Sequence, residues 1–173
     1  MLRDVLMLGH PGLRREADEI DDFDGELEMI ISDLRDTLHH LQGQNNMGRA
    51  LAAPQIGYHK QVIYCDSGDK ELIMVNPDIV NMSEDKFSVW DSCFSFDLSF
   101  FVRIRRHTRI EVEFEDGRGE SREELFEEEM SELFQHEIDH LHGILATDHL
   151  GKRTAEGENI VMREEWERRF ADL

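Results

Sequence analysis

The chain has 173 residues, 39% of them hydrophobic, which suffices for one domain with a buried core and no disulfide or structural metal to hold it. Its 39 acidic residues against 19 basic ones give a formal charge of −20, which repels nucleic-acid phosphates and anionic lipid heads and excludes binding to either. No apolar run approaches membrane-spanning length and Met1 to Glu16 has no signal-peptide core, so the expected location is the cytoplasm, where Cys65 and Cys93 remain free thiols.

Leu27, Ile30, Ile31, Leu34, Leu38 and Leu41 recur every three or four residues behind the acidic Asp21 to Asp24, which predicts an amphipathic helix ending near Gly43. From Gly43 to Gly57 the periodicity dissolves into Gly, Gln, Asn, Ala and Pro, as in a loop that allows close backbone approach. Short strands follow at Gln61 to Cys65 and Glu71 to Val75, the second expected to stop at Asn76-Pro77. Ile110, Val112 and Phe114 alternate with glutamates up to the Asp116-Gly117 turn, as in a strand with one wet face. Ser121 and Glu124 form a capping-box pattern, which predicts a helix of about twenty residues running from there to Gly143. A last amphipathic stretch, Ile160 to Phe170, predicts a C-terminal helix. With no repeat or long linker, residues 1–173 read as a single α+β domain of antiparallel sheet packed around a long helix.

That helix carries His136-Glu137-Ile138-Asp139-His140, the HExxH pattern, which puts two imidazoles on one helical face, one turn apart, where they can grip one metal ion. A metal with an open position lowers the pKa of water, and Glu137 stands where it can take the proton and later return it to a leaving group. The third ligand separates the known uses of the pattern. A metzincin needs a third histidine where this chain has Ala146, although Gly143 fits that motif; a gluzincin-like protease would recruit Glu164 or Glu165. Upstream, Cys93 in Asp91-Ser92-Cys93-Phe94-Ser95 offers a thiolate suited to Fe(II) or Zn(II). Gly48 to Gly57, reading Gly-Arg-Ala-Leu-Ala-Ala-Pro-Gln-Ile-Gly, adds small residues for close approach and the Gln55 amide as a donor for a developing oxyanion.

In order and spacing these three segments resemble the signatures of the peptide deformylase family, GxGxAAxQ, EGCLS and QHExDH. Gln135 to His140 matches the last without exception, Ala52 to Gly57 matches the first closely, and Cys93 is the centre of the second. Likeness extends from Pro11-Gly12-Leu13-Arg14 to His142-Gly143-Ile144-Leu145-Ala146-Thr147-Asp148. The departures are Ala50 at the family's second glycine and Asp91, Ser92 and Phe94 around the cysteine.

The resemblance implies a peptide deformylase-like fold and removal of the N-formyl group from the N-terminal methionine of nascent peptides. It implies one divalent cation on Cys93, His136 and His140, with Fe(II) the usual ion and Zn(II), Ni(II) or Co(II) as replacements. Glu137 is then the proton carrier, with Gln55 and the backbone N–H of Phe94 holding the oxyanion. Ala50 and Ser92 would border a substrate that adds as a strand, and Glu129, Glu132 and Leu133 share the helix face that in the family lines the methionine pocket. Two glutamates there suggest a pocket for polar or basic side chains instead, and with it the alternative of a divergent amidase for another N-acyl or basic substrate. A metal-holding relative without turnover is the other alternative, against which Glu137 and Gln55 argue, since neither is needed merely to hold metal. Ribosome-borne nascent chains are the implied partners. His39, His40, His59, His107, His142 and His149 read as surface residues, and either Arg105 or Arg106 matches a family arginine.

Overall fold

The computed structural model describes residues 1–151 and 159–170. Helix α1 (Gly25–Asn45) starts as its sequence dictates, with the Asp24 carboxylate accepting from the Glu26 N–H and Glu26 and Glu28 in the first turn. It stops at Asn46, whose left-handed φ of 53° turns the chain out. The expected loop then folds in part, into strand β1 (Ala50–Ala52) and a 3-10 turn, Ala53–Ile56.

Strands β1, β2 (Val62–Asp66), β3 (Glu71–Met82), β6 (Arg109–Glu115) and β7 (Ser121–Glu127) form one antiparallel sheet in the order β1-β2-β3-β6-β7. A second, three-stranded sheet has the order β4-β5-β8, from β4 (Lys86–Asp91), β5 (Phe100–His107) and β8 (Ile160–Met162). Alternation along each strand divides the interior. On β1 and β2, Leu51, Val62 and Tyr64 pack with Leu27, Ile30, Leu34 and Leu38 of α1, while Ala50, Ala52, Ile63 and Cys65 face Leu133, Phe134, Ile138 and Leu141 of helix α2 (Glu128–Leu141). Leu13, Cys93, Phe96, Val102, Ile104 and Leu145 make a third apolar cluster beneath the smaller sheet. Helix α2 packs against both sheets and so lies at the centre of the molecule.

Three expectations are corrected. Ser121 to Glu127 is strand, not the start of the long helix: β7 pairs with β6 from Glu115↔Ser121 to Arg109↔Glu127. Sheet hydrogen bonds, the Lys70–Glu124 ion pair and the burial of Phe126 outweigh the helical propensity of Glu123 to Glu129. The chain turns into α2 only at Glu128, which takes a left-handed φ of 49° with its N–H on the Thr108 carbonyl. Asn76-Pro77 does not end β3 either. A register shift between Val75 and Asp78 absorbs the proline, and the Asn76 side chain bonds both the N–H and the carbonyl of Ile20. The C-terminal stretch is β8 followed by helix α3 (Arg163–Phe170), because Ile160 to Met162 pairs with Phe100 to Val102. Among the described residues no helix is long and apolar enough to cross a membrane.

Candidate metal centre

His136 and His140 stand one turn apart on α2 with their Nε2 atoms 3.2 Å from each other. Cys93 leaves the end of β4 at the start of a short 3-10 turn, Phe94–Phe96, and its Sγ lies 3.3 Å from His140 Nε2. All three side chains are buried, and one ligand atom from each lies within 4.8 Å of the others. A thiolate and two imidazoles at that separation fit a divalent cation of the Fe(II) or Zn(II) kind. Glu137 Oε2, buried at the same cavity, has no hydrogen-bond partner. Burial, aided by the charge of His136, pushes the His140 imidazole down to about 3, so it stays neutral with a lone pair free to ligate.

Behind the ligands lies a buried ionic chain. His136 Nδ1 meets Asp91 Oδ1 at 2.8 Å, which leaves Nε2 facing Cys93 and His140. Asp91 in turn receives the Arg106 guanidinium at 3.0 Å, and Arg106 also reaches Asp139 at 2.5 Å. Burial alone would raise the Asp91 carboxyl, but His136 and Arg106 hold it at about 2. His149 closes the outer end, 2.7 Å from Asp139. Of the two candidate arginines, it is Arg106 that reaches the site, sharing the inner face of β5 with Val102 and Ile104; Arg105 points out and donates to the Lys86 carbonyl. His149 is exposed, as expected of a surface residue, and still pairs with Asp139.

Gln55, in the 3-10 turn after β1, is fixed at both ends. Its Oε1 accepts from the Ala52 N–H at 2.9 Å, and its Nε2 lies 3.3 Å from both Cys93 Sγ and Ser95 Oγ. Phe94 folds its ring over Gly48, where a β-carbon would sit only 2.0 Å from the ring tip, so this glycine, at φ 95°, cannot carry a side chain. A cavity of about 190 Å³ opens here. Of the residues predicted to form the site, Ala50, Gln55, Ser92, Cys93, Phe94, Glu132, Leu133, His136 and Glu137 line it; His140 and Glu129 do not, and the Glu129 side chain is exposed. Ser92 spends its hydroxyl on the Phe100 carbonyl. Trp90 and Phe101 contribute walls, whereas Phe96 and Phe100 stack on each other.

Burial pushes the Glu137 carboxyl up to about 7, against the pull of His136, which suits a group that must both take and return a proton near neutrality. Glu132 is also raised, chiefly by burial and by Asp91, and its counter-charge is Arg49, whose guanidinium lies 3.4 Å away at the cavity wall. Sequence reasoning missed Arg49, Asp91 and Asp139 as parts of the site and did not choose between Arg105 and Arg106. Glu164 and Glu165 are not among the clustered ligand atoms, and Glu165 pairs with Arg168 and Arg169 of its own helix, so nothing supports a glutamate as third ligand. Cys65 is no ligand: burial in the core pushes its thiol up to about 12.

Comparison with known proteins agrees with this arrangement. A sequence profile of the family described as Polypeptide deformylase matches residues 2–156. The peptide deformylase of Thermotoga petrophila is 34% identical over 146 residues, covering 84% of this chain and 85% of its own. The solved structure of peptide deformylase from Thermotoga maritima superposes with a TM-score of 0.80 at 32% identity, over 87% of this chain and 99% of that one. That of the Legionella pneumophila enzyme gives 0.80 at 30% identity, over 88% of each chain. With a sulfur and two imidazoles converging beside a buried glutamate, and with the family profile spanning nearly the whole sequence, the chain belongs to the polypeptide deformylase family.

Proposed function

We propose that Cys93, His136 and His140 hold one divalent cation and that Glu137, Gln55 and the Phe94 backbone use it to hydrolyse the formyl amide at the start of a nascent peptide. Deformylation is the family's reaction: water adds, the formyl C–N bond breaks, and formate and a free amine leave. The observation that carries the assignment of roles is the clustering of three ligand atoms within 4.8 Å at a cavity wall that also presents a buried glutamate with an unpartnered oxygen.

A cation of the Fe(II), Zn(II), Ni(II) or Co(II) type supplies Lewis acidity and acidifies water there. Glu137 Oε2 would take the proton from the attacking water and deliver it to the departing nitrogen, a role that burial favours by raising its carboxyl above the usual carboxylate range. The Gln55 amide, held rigidly by Ala52 and Ser95, and the Phe94 N–H donate to the oxygen on which negative charge develops. Asp91 and Arg106 fix the His136 ring so that its Nε2 stays aimed at the other ligands. Ala50 and Ser92, both lining the cavity, border the peptide backbone. In this reading a single domain works in the cytoplasm on chains emerging from the ribosome.

The basic-substrate alternative loses its motive, because Arg49 already supplies the cation that Glu132 would otherwise seek from a ligand. The test is anaerobic purification with metal analysis, then amine release from formyl-methionyl-alanyl-serine. Glu137→Ala should keep its metal and lose turnover by about 10²–10⁴-fold. A fully active variant, or a metal-loaded protein that releases no amine, would refute the assignment.

A further inference from the structure

We infer that Arg49 and Glu132 form a specificity-determining pair, through which the cavity accepts a neutral hydrogen-bonding side chain of glutamine size on the formylated residue as readily as an apolar one. The inference rests on the deformylase reading of the site. The side chain of the formylated residue branches from the carbon bonded to the scissile nitrogen, so it starts beside Glu137 and must enter this cavity. Glu132 lies four residues before His136 on the same face of α2, about 6 Å along the helix. That is the reach of an extended side chain of three or four heavy atoms beyond Cβ.

At that depth the wall is polar. Arg49 stands opposite the helix, 3.4 Å from the Glu132 carboxylate and 3.5 Å from Glu129. Both contacts are long for charge-assisted hydrogen bonds, so the guanidinium has donors to give and Glu132 has lone pairs to accept. The Glu132 side chain is only 18% exposed, so little water remains to satisfy it. Leu133 and Phe101 supply apolar walls for the stem of any side chain.

These facts sort the ligands. An aliphatic tip would cover the pair and remove its remaining water without giving anything back; a thioether is a weak acceptor and does little better. A carboxamide donates to Glu132 and accepts from Arg49, so both halves of the pair are satisfied. A cationic tip must compete with Arg49 for Glu132 and crowd the guanidinium, and an anionic one faces Glu132 and Glu137 together. The chemistry selected is neutral and amphiprotic, which replaces the polar-or-basic expectation from sequence with a narrower one.

The experiment compares kcat/KM for formyl-glutaminyl, formyl-norleucyl, formyl-methionyl and formyl-lysyl peptides that share one tail. It uses the cation-loaded enzyme and its Arg49→Met/Glu132→Leu double variant, with thermal melts to confirm folding. The wild type should process the glutaminyl peptide within about tenfold of the norleucyl one, and the double variant should move that ratio towards norleucine by about 10–100-fold. A wild-type preference for norleucine above a hundredfold, a ratio unchanged by the double substitution, or lysine outrunning glutamine overturns the pair's role. The same ratio, read as relative Kd by calorimetry on Glu137→Gln, must agree, since binding there needs no turnover. Failure to deformylate any peptide strikes the proposed reaction, whereas strict norleucine preference with good turnover strikes only this inference.

Discussion

Arg106 offers the sharpest test of how the centre is held together. Its side chain is 3% exposed and faces two carboxylates, Asp91 at 3.0 Å and Asp139 at 2.5 Å, the first of which is itself 2% exposed. Arg106→Met keeps the aliphatic volume and deletes the charge. Two charge-assisted hydrogen bonds disappear at about 1.5–3 kcal/mol each, which agrees with the ~3–5 kcal/mol typical when one partner of a buried pair is removed. Asp139 keeps His149 and Asp91 keeps His136, but Asp91 is the more deeply buried of the two, 2% exposed against 18%, and bears the larger share of the penalty. For a chain of this size that corresponds to a fall in Tm of roughly 6–20 °C, measured on the metal-free protein by calorimetry. The same change loosens the His136 ring, and Co(II) affinity should drop by about 10–100-fold in a competition titration. Arg106→Lys reaches one carboxylate at a time and should fall between. Adding Asp91→Asn to Arg106→Met removes a buried charge left with His136 alone and should recover part of the stability while leaving the metal affinity low. If Arg106→Met melts within 2 °C of wild type, about the shift of a single surface contact, and binds Co(II) unchanged, the ionic chain is not what orients the ligand.

Other consequences are simpler to read. Cys93→Ser should lower the metal stoichiometry of the purified protein, whereas Cys65→Ala should leave it intact and cost only packing, as metal analysis beside a thermal melt would show. Gly143 has φ 69°, and a β-carbon there would lie 2.6 Å from the Arg14 carbonyl oxygen, which is backbone and cannot swing away. Gly143→Ala should therefore cost about 1–3 kcal/mol in urea unfolding, while Gly25→Ala, in open space at the start of α1, should be neutral or slightly stabilising. Asp33 is buried and accepts from Arg3 Nε at 2.7 Å and the Tyr58 hydroxyl at 2.8 Å. Burial raises its carboxyl, yet the Met1 amine, Arg3 and Tyr58 bring it down from 3.8 to about 2. A depressed carboxyl stabilises the fold above its unfolded pKa, so Asp33→Asn should cost about 2 kcal/mol at pH 7. The gap to wild type should close as pH falls from about 4 towards 2, and a gap independent of pH would refute the ionic account.

The metal ligands were legible because their chemistry needs rare residues at fixed spacing, and a helix turns His136 and His140 to one side whatever surrounds it. The residues behind them were not. Asp91 is two positions from Cys93 and Asp139 sits inside the histidine motif, but nothing local says that both meet one arginine across the sheet. Strand alternation carried the missing signal: on β5, Val102, Ile104 and Arg106 fall on the inner face, so a buried arginine could have been read from the period of two once the strand was recognised. Arg49 was hidden in the same way. It belongs to a segment that sequence assigned to a loop, and only its approach to α2 shows why Glu132 can be buried.

Ser121 to Glu129 is where local and global preferences conflict most openly. The sequence Ser-Arg-Glu-Glu-Leu-Phe-Glu-Glu-Glu has a capping pattern and strong helix formers, and as an isolated peptide it would favour helix. In the fold its first seven residues are an edge strand with glutamates directly opposite at Glu113↔Glu123, a pairing that costs repulsion. What compensates is position. Pairing with β6 buries Phe126 against Phe134, ring centroids 4.3 Å apart, and delivers the chain to Glu128 at the point from which α2 can run between the two sheets. Had the helix begun at Ser121, its first two turns would project beyond the sheet with Phe126 uncovered. The left-handed Glu128 is thus a local cost imposed by the location of the metal centre, since it sets the register in which His136 and His140 arrive opposite Cys93.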